Sequence, residues 1–325
     1  MTELKYPLFD GEKVWEGATV TVENGLITAV TACDPAECGD GFLLPGLIDA
    51  HTHIWTGAQV EALLRSGVTT ACDVAASKEL VESSRQLEIV SSAGMAMGMV
   101  LNPKGFVERA AANGARYIKV LLFNSFSIGK PALRGIVKAA HKKGLKVAVH
   151  ATEIATVRQA VDAGADILLH VPMKEAFPEE LAKTIAQKGI AVAPTLVMME
   201  AFCRSGQFGY KESNLPNALA AVKLLHQCGV TILAGTDANS ATYVPAVAHG
   251  ESMHEEMALL LKAGLAPTEV LTAATGNNSD VFGLNSGRIE SGHPATMLLV
   301  DGRPDITIAD SSKIRQIWVR GEQIL

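Results

Sequence analysis

The chain predicts an α/β fold: a TIM (β/α)8 barrel flanked by a small β-sandwich domain formed from both termini. Three observations carry this. Eight short apolar runs recur through the middle of the chain, amphipathic stretches closing on glycine separate them, and β-type patterning is confined to the two ends. Near-continuous Val/Ile/Leu/Ala runs are what parallel strands covered on both faces require, and alternation with helices is the signature of the barrel.

In chain order, the N-terminal part reads first as a hairpin. Ala18-Thr19-Val20-Thr21-Val22 and Leu26-Ile27-Thr28-Ala29-Val30 flank Asn24-Gly25, a strong two-residue turn signal. The strand-like runs follow at 47–50, 69–74, 96–101, 117–123, 146–150, 167–171, 190–195 and 231–235. Helical patterns lie between them, for example at 133–143, 154–163, 178–188 and 218–228, and Gly144, Gly164, Gly189 and Gly229 stand where C-caps belong. The tail returns to short β runs at 296–300 and 314–319. The expected division is therefore a small β domain of residues 1–43 plus 286–325 and a barrel of residues 44–285.

Composition narrows the classes of function. The 325 residues are 48% hydrophobic and 19% charged, enough for one large core. Net charge is −6 and no basic block appears, so no nucleic-acid partner is expected. No apolar run reaches the roughly 20 residues that span a bilayer, so no membrane role is expected. The first residues lack the apolar core of a signal peptide. Cys33, Cys38, Cys72, Cys203 and Cys228 form no CxxC pair and are odd in number, which fits free thiols and a cytoplasmic setting.

Working residues of a barrel sit at the C-terminal ends of its strands. The first run ends in His51-Thr52-His53, and strand alternation puts both imidazoles on one face, within reach of one metal ion. The fifth and sixth runs end in His150 and His170, and the eighth ends in Gly235-Thr236-Asp237. The fourth carries Lys119 among apolar residues. Each alone reads more simply as a core histidine, a helix-capping Asp or a solvated Lys. Together they place six polar groups on one rim, where burial without partners would be costly and a metal site satisfies all of them. A buried Lys has a lowered pKa and a nucleophilic amine, able to take up carbon dioxide as a carbamate that bridges two cations about 3.5–4 Å apart.

With these residues in place the chain resembles the amidohydrolase superfamily. The similarity runs through Leu44-Pro45-Gly46-Leu47-Ile48-Asp49-Ala50-His51-Thr52-His53, Lys119, His150, His170 and Gly235-Thr236-Asp237, and on to Gly287-Arg288-Ile289-Glu290-Ser291-Gly292 and Leu298-Leu299-Val300-Asp301-Gly302. Ala274-Thr275 and residues 249–261 point to its prolidase-like and imidazolonepropionase-like branch. The resemblance implies His51, His53 and Asp237 on one metal, His150 and His170 on a second, and carbamylated Lys119 as a bridge beside a metal-bridging hydroxide. It also implies Asp237 as the catalytic proton acceptor. Zinc is the expected metal, and manganese, iron, cobalt or nickel would suit the same donors. Two departures stand out: Val171-Pro172 after His170, where relatives often have Gly, and His293-Pro294-Ala295-Thr296, where an Asp usually follows the Ala. The chain also passes from strand one to helix one with almost no insertion.

The resemblance implies a binuclear metal-dependent hydrolase of a small-molecule substrate, opening an amide-type C–N bond in a dipeptide, an N-acyl amino acid or a cyclic amide. The same machinery on a carbamate, lactone, ester or phosphotriester is the alternative, and an inactive metal-binding barrel acting through its surface is the reading of another class. A homo-oligomer stays open. The substrate is expected against Trp55, Met198, Met199, Phe202 and His249, with residues 196–216 as a lid. Helix packing competes with that role for Met198, Met199 and Phe202. Arg204 is the weak candidate for a carboxylate clamp, and Asp73 for a supporting partner.

Overall fold

A computed structural model describes residues 1–123 and 128–325. Its strands, in chain order, begin with β1 (Thr2–Phe9), β2 (Val14–Glu23), β3 (Leu26–Ala32) and β4 (Phe42–Pro45). The middle of the chain forms β5 (Leu47–Thr52), β6 (Val68–Asp73), β7 (Glu88–Ser91), β8 (Met95–Ala96), β9 (Tyr117–Leu121), β10 (Lys146–His150), β11 (Ile167–Leu169) and β12 (Ala191–Ala193). The tail adds β13 (Met297–Val300), β14 (Ile314–Val319) and β15 (Glu322–Gln323).

Both ends of the chain meet in one hydrogen-bonded sheet of seven strands, ordered β15-β14-β13-β4-β1-β2-β3. The Asn24-Gly25 turn joins β2 to β3, with both residues at positive φ (50° and 80°), as such a turn demands. Leu44 and Pro45 belong to this sheet through β4. Leu8, Ile27, Leu43, Met297 and Leu299 pack as its apolar layer.

The middle strands pair in parallel in two arcs, β5-β6-β7 and β12-β11-β10-β9-β8. Residues 231–238 connect the arcs on one side without forming a regular strand. Leu233 N donates to Val192 O (2.8 Å), while Ala50 N donates to Ala234 O (3.0 Å) and Asp237 N to His51 O (2.7 Å). Gly235 suits the close approach there, since a Cβ would lie 3.0 Å from His51 N and 3.2 Å from Ala50 Cβ. On the other side Arg116 N donates to Ser91 O (2.8 Å). This is a TIM-like α/β fold. Helices cover the outer face, and the predicted caps Gly144, Gly164, Gly189 and Gly229 all take positive φ. No helix among the described residues is long and apolar enough to cross a membrane.

The run at 96–101 does not form the third strand. Glu88–Ser91 takes that place, paired with β6, because its outward Ile89 and inward Val90 are buried while Met97, Met99 and Leu101 are exposed. The segment at 196–205 is a helix rather than an open lid loop, and Met198 and Met199 lie fully inside the main core beneath it. Neither offers surface to a substrate, and helix packing accounts for both.

Candidate metal centre

Parallel pairing brings the strand ends to one level. Ala148 of β10 stands opposite Lys119 of β9, and His150 opposite both Leu121 and Leu169, so His150 and His170 emerge side by side. Their rings are 4.3 Å apart between centroids. His51 and His53 project from the end of β5 with centroids 5.2 Å apart, and His51 lies 5.5 Å from His170. Asp237 closes the group, its Oδ1 3.3 Å from His51 Nε2 and 3.0 Å from His53 Nε2. One ligand atom from each of His51, His170 and Asp237 falls within a mutual 4.8 Å. His53 joins this trio through Asp237, and His150 through the His170 ring.

Lys119 is 1% exposed, and its Nζ lies 3.0 Å from His51 Nε2. Burial pushes the amine down to about 7 despite the opposing pull of Asp237. Burial, reinforced by Lys119 and the neighbouring imidazoles, holds His51 well below the usual imidazole range. Burial, then His150 and Lys119, does the same for His170. His150 falls to about 3, from burial and then Lys119. The three rings are therefore neutral near pH 7, the state in which imidazole binds a metal.

The supports of these side chains are specific. His170, Thr195 and Asp237 all have positive φ (70°, 50° and 56°), a backbone state that non-glycine residues adopt at a cost and that recurs at functional sites. Thr195 Oγ1 lies 2.7 Å from His170 Nδ1 and leaves the other ring nitrogen to face the cluster. Asp49, wholly buried, accepts from His51 N (3.1 Å), Thr236 N (3.0 Å) and Thr236 Oγ1 (2.6 Å), tying β5 to the segment that carries Asp237. Burial raises its pKa to about 6. Asp73 accepts from Ile54 N (2.6 Å) in the turn after β5 and from Ala75 N and Ala76 N in the turn after β6, joining the two. Thr195, Asp49 and Thr236 had no role in the expected set. The only signal of those roles in the chain is a polar residue in, or just after, an apolar run.

The expected rim residues divide. Trp55 stacks on His53 (5.7 Å, 20°) and is 42% exposed. Phe202 packs with Phe208 and Tyr210, 5.7 Å from each. His249 Nε2 donates to the His53 carbonyl (2.8 Å), so it holds the backbone of a cluster residue. Arg204 points to its helix neighbour Glu200 (3.3 Å). His141 and His226 lie against the carboxylates of Asp166 (2.8 Å) and Glu269 (3.3 Å).

The family comparison decides what this arrangement belongs to. The amidohydrolase family pattern matches residues 42–324, nearly the whole chain. The chain belongs to the amidohydrolase family. Among this amidohydrolase's relatives, imidazolonepropionase of Agrobacterium fabrum is 22% identical over 384 residues, covering 91% of this chain and 87% of its own. Enamidase of Eubacterium barkeri is 23% identical over 348 residues, covering 89% and 82%. A solved Xaa-Pro dipeptidase with bound methionine superposes with a TM-score of 0.83 at 19% identity, covering 99% of this chain and 98% of its own. These similarities are to an imidazolonepropionase and an enamidase in sequence and to a Xaa-Pro dipeptidase in fold. The family generally uses divalent metal ions, and the residues of this amidohydrolase fit them. Imidazoles and a carboxylate converge, and a buried amine rests against an imidazole.

Proposed function

We propose that the protein is a binuclear metal-dependent hydrolase that opens an amide-type C–N bond in a dipeptide, an N-acyl amino acid or a cyclic amide. Lys119 carries the reading. A fully buried lysine amine whose hydrogen-bond partner is an imidazole, and whose pKa has dropped to about 7, is costly for the fold unless it is put to use. Neutral, it can add to carbon dioxide. A new N–C bond forms, one proton leaves, and the resulting carbamate supplies two oxygens in place of a buried ammonium.

In this reading His51, His53 and Asp237 would hold one divalent ion and His150 and His170 a second, with carbamylated Lys119 as the donor they would share and zinc suited to the set. Such ions, when bound, polarise the scissile carbonyl and make water a better nucleophile at neutral pH. The chain's own residues do the rest. Asp237 accepts the proton of the attacking water and passes it to the leaving nitrogen. Water's oxygen ends on the carbonyl carbon, the C–N bond breaks, and acid and amine result. Thr195 fixes the ring of His170, His249 the backbone of His53, and Asp49 the spacing between His51 and Asp237. The same reading takes a closed eight-stranded barrel that begins after β4 and runs to residue 285, with a small β domain of both termini beside it.

The test is a screen of the zinc- or manganese-supplemented protein against dipeptides, N-acyl amino acids, cyclic amides, lactones and aryl esters. The expected result is a kcat/KM for at least one C–N substrate tenfold or more above those of the esters and lactones. Turnover of esters or lactones alone would reassign the machinery, and no turnover of any class by a metal-loaded protein would leave the inactive barrel.

A further inference from the structure

We propose that the mouth of this site receives a neutral amide through an extended alkyl or aryl group laid along residues 95–101, which thereby select the substrate class. The inference rests on the hydrolase reading above and, among amide-type C–N bonds, favours a neutral amide over the dipeptide and the N-acyl amino acid.

Large exposed apolar side chains gather where the strands end. Met97, Met99 and Leu101 are 62%, 85% and 87% exposed, and Met95, Trp55 and Phe123 are partly so. Single exposed apolar residues are ordinary on a protein surface, but a contiguous group marks a binding face. All six residues lie on β8 or on segments that follow β5, β8 and β9.

Two of these residues touch the metal-binding cluster directly. Trp55 stacks on His53 at one side, and the Phe123 ring lies 4.7 Å from that of His150 at the other. Met95 stands opposite Lys119 in the parallel β8–β9 ladder. Residues opposite one another in a ladder face the same side. Met95 therefore shares the face from which Lys119 reaches His51, whereas Ala96 and Val120 are buried in the outer core. Beyond Ala96 the chain leaves from the same end of the ladder as Phe123. An alkyl group anchored at the scissile carbonyl would run from the cluster onto three thioethers. Methionine's flexible, polarizable side chain adapts to irregular apolar shapes.

Charge points the same way. Lys174, after β11, lies over the Tyr210 ring at 4.7 Å, and Arg204 is paired with Glu200. The Lys174 ammonium is engaged by a ring and the Arg204 guanidinium by a carboxylate, so neither is a free counterion for a terminal carboxylate.

The experiment compares kcat/KM for the p-nitroanilides of acetic and hexanoic acid with that for N-acetylglycine and N-hexanoylglycine, on the full metal-supplemented chain. Calorimetric binding of hexanamide and acetamide runs in parallel. Burying a methylene is worth about fourfold, and half-burying it about twofold, so the four added methylenes should raise anilide kcat/KM at least tenfold. The double variant Met97→Ser/Met99→Ser should cut that ratio below about threefold and weaken hexanamide binding. A hexanoyl-to-acetyl ratio near one, a tenfold preference for the glycine compounds, or a ratio unmoved in the variant would overturn the proposal. So would a parent dimer that the variant makes monomeric while the ratio holds, since a second copy would then own the face. The two readings fail differently. Amide hydrolysis without chain-length dependence sinks the inference alone. Hexanamide binding that the variant abolishes, without hydrolysis of any amide, upholds the apolar mouth and sinks the hydrolase.

Discussion

Glu256 carries a pH dependence that a single substitution should remove. Its carboxyl is wholly buried, accepts from Val197 N (2.8 Å) at the start of the helix Leu196–Ser205, and leaves Oε1 without a partner among the described residues. Burial raises its pKa from 4.5 to about 8, against the backbone bonds that favour the anion. The folded state thus keeps a proton that the unfolded chain releases near pH 4.5. Its contribution is fully present below that pH and is lost as pH rises toward about 8. At about 1.4 kcal/mol per pH unit over the interval between the two pKa values, the loss from pH 5 to pH 8 is roughly 3–4 kcal/mol. Glu256→Gln keeps an oxygen to accept from Val197 N and cannot ionise. Urea unfolding of metal-free protein, followed by tryptophan fluorescence at pH 5, 6, 7 and 8, reads the difference. The variant should match the parent near pH 5 and exceed it by about 3 kcal/mol at pH 8. Parallel stability curves, or a variant weaker at every pH, would refute the buried neutral carboxyl.

Three further outcomes follow from the same contacts. Asp49→Ala strands the buried donors of Thr236 and His51 at about 1–3 kcal/mol each, so chemical unfolding should register a loss of about 3 kcal/mol or more, with weaker zinc binding. Thr195→Val releases the His170 ring and should reduce zinc affinity about 10- to 100-fold in a chelator competition. Unchanged affinity would remove Thr195 from the site. Arg204→Ala, on an exposed helix pair, should leave kcat/KM within about twofold for any substrate found, and a larger loss would restore Arg204 as a carboxylate clamp.

What the chain reveals before folding depends on whether the signal is periodic. His51 and His53 are legible because period two forces them onto one face, and Lys119, His150 and His170 because each interrupts or ends an apolar run. Lys119 in particular has nowhere apolar to go. Apolar content alone places the third strand at 96–101, whereas Glu88–Ser91, which takes that place, is short and opens on a charged residue. Met198 and Met199 read equally as lid or core, since a helix presents apolar residues to either, and only the packing decides. Asp49 and Thr236 stand inside recognisable motifs, yet their roles, like those of Thr195 and Glu256, are not legible in the chain. Each acts through a partner far away in the chain (Glu256 on Val197, Asp49 on Thr236), and one polar residue carries no periodicity to announce it.

Metal stoichiometry tests the two-metal site most directly. Protein purified from zinc- and bicarbonate-supplemented cultures would be measured by elemental mass spectrometry beside Lys119→Ala prepared identically. The site predicts about two divalent ions per parent chain and a clear fall, to about one or fewer, in the variant. A parent chain without metal, or a variant that keeps both ions, would contradict it.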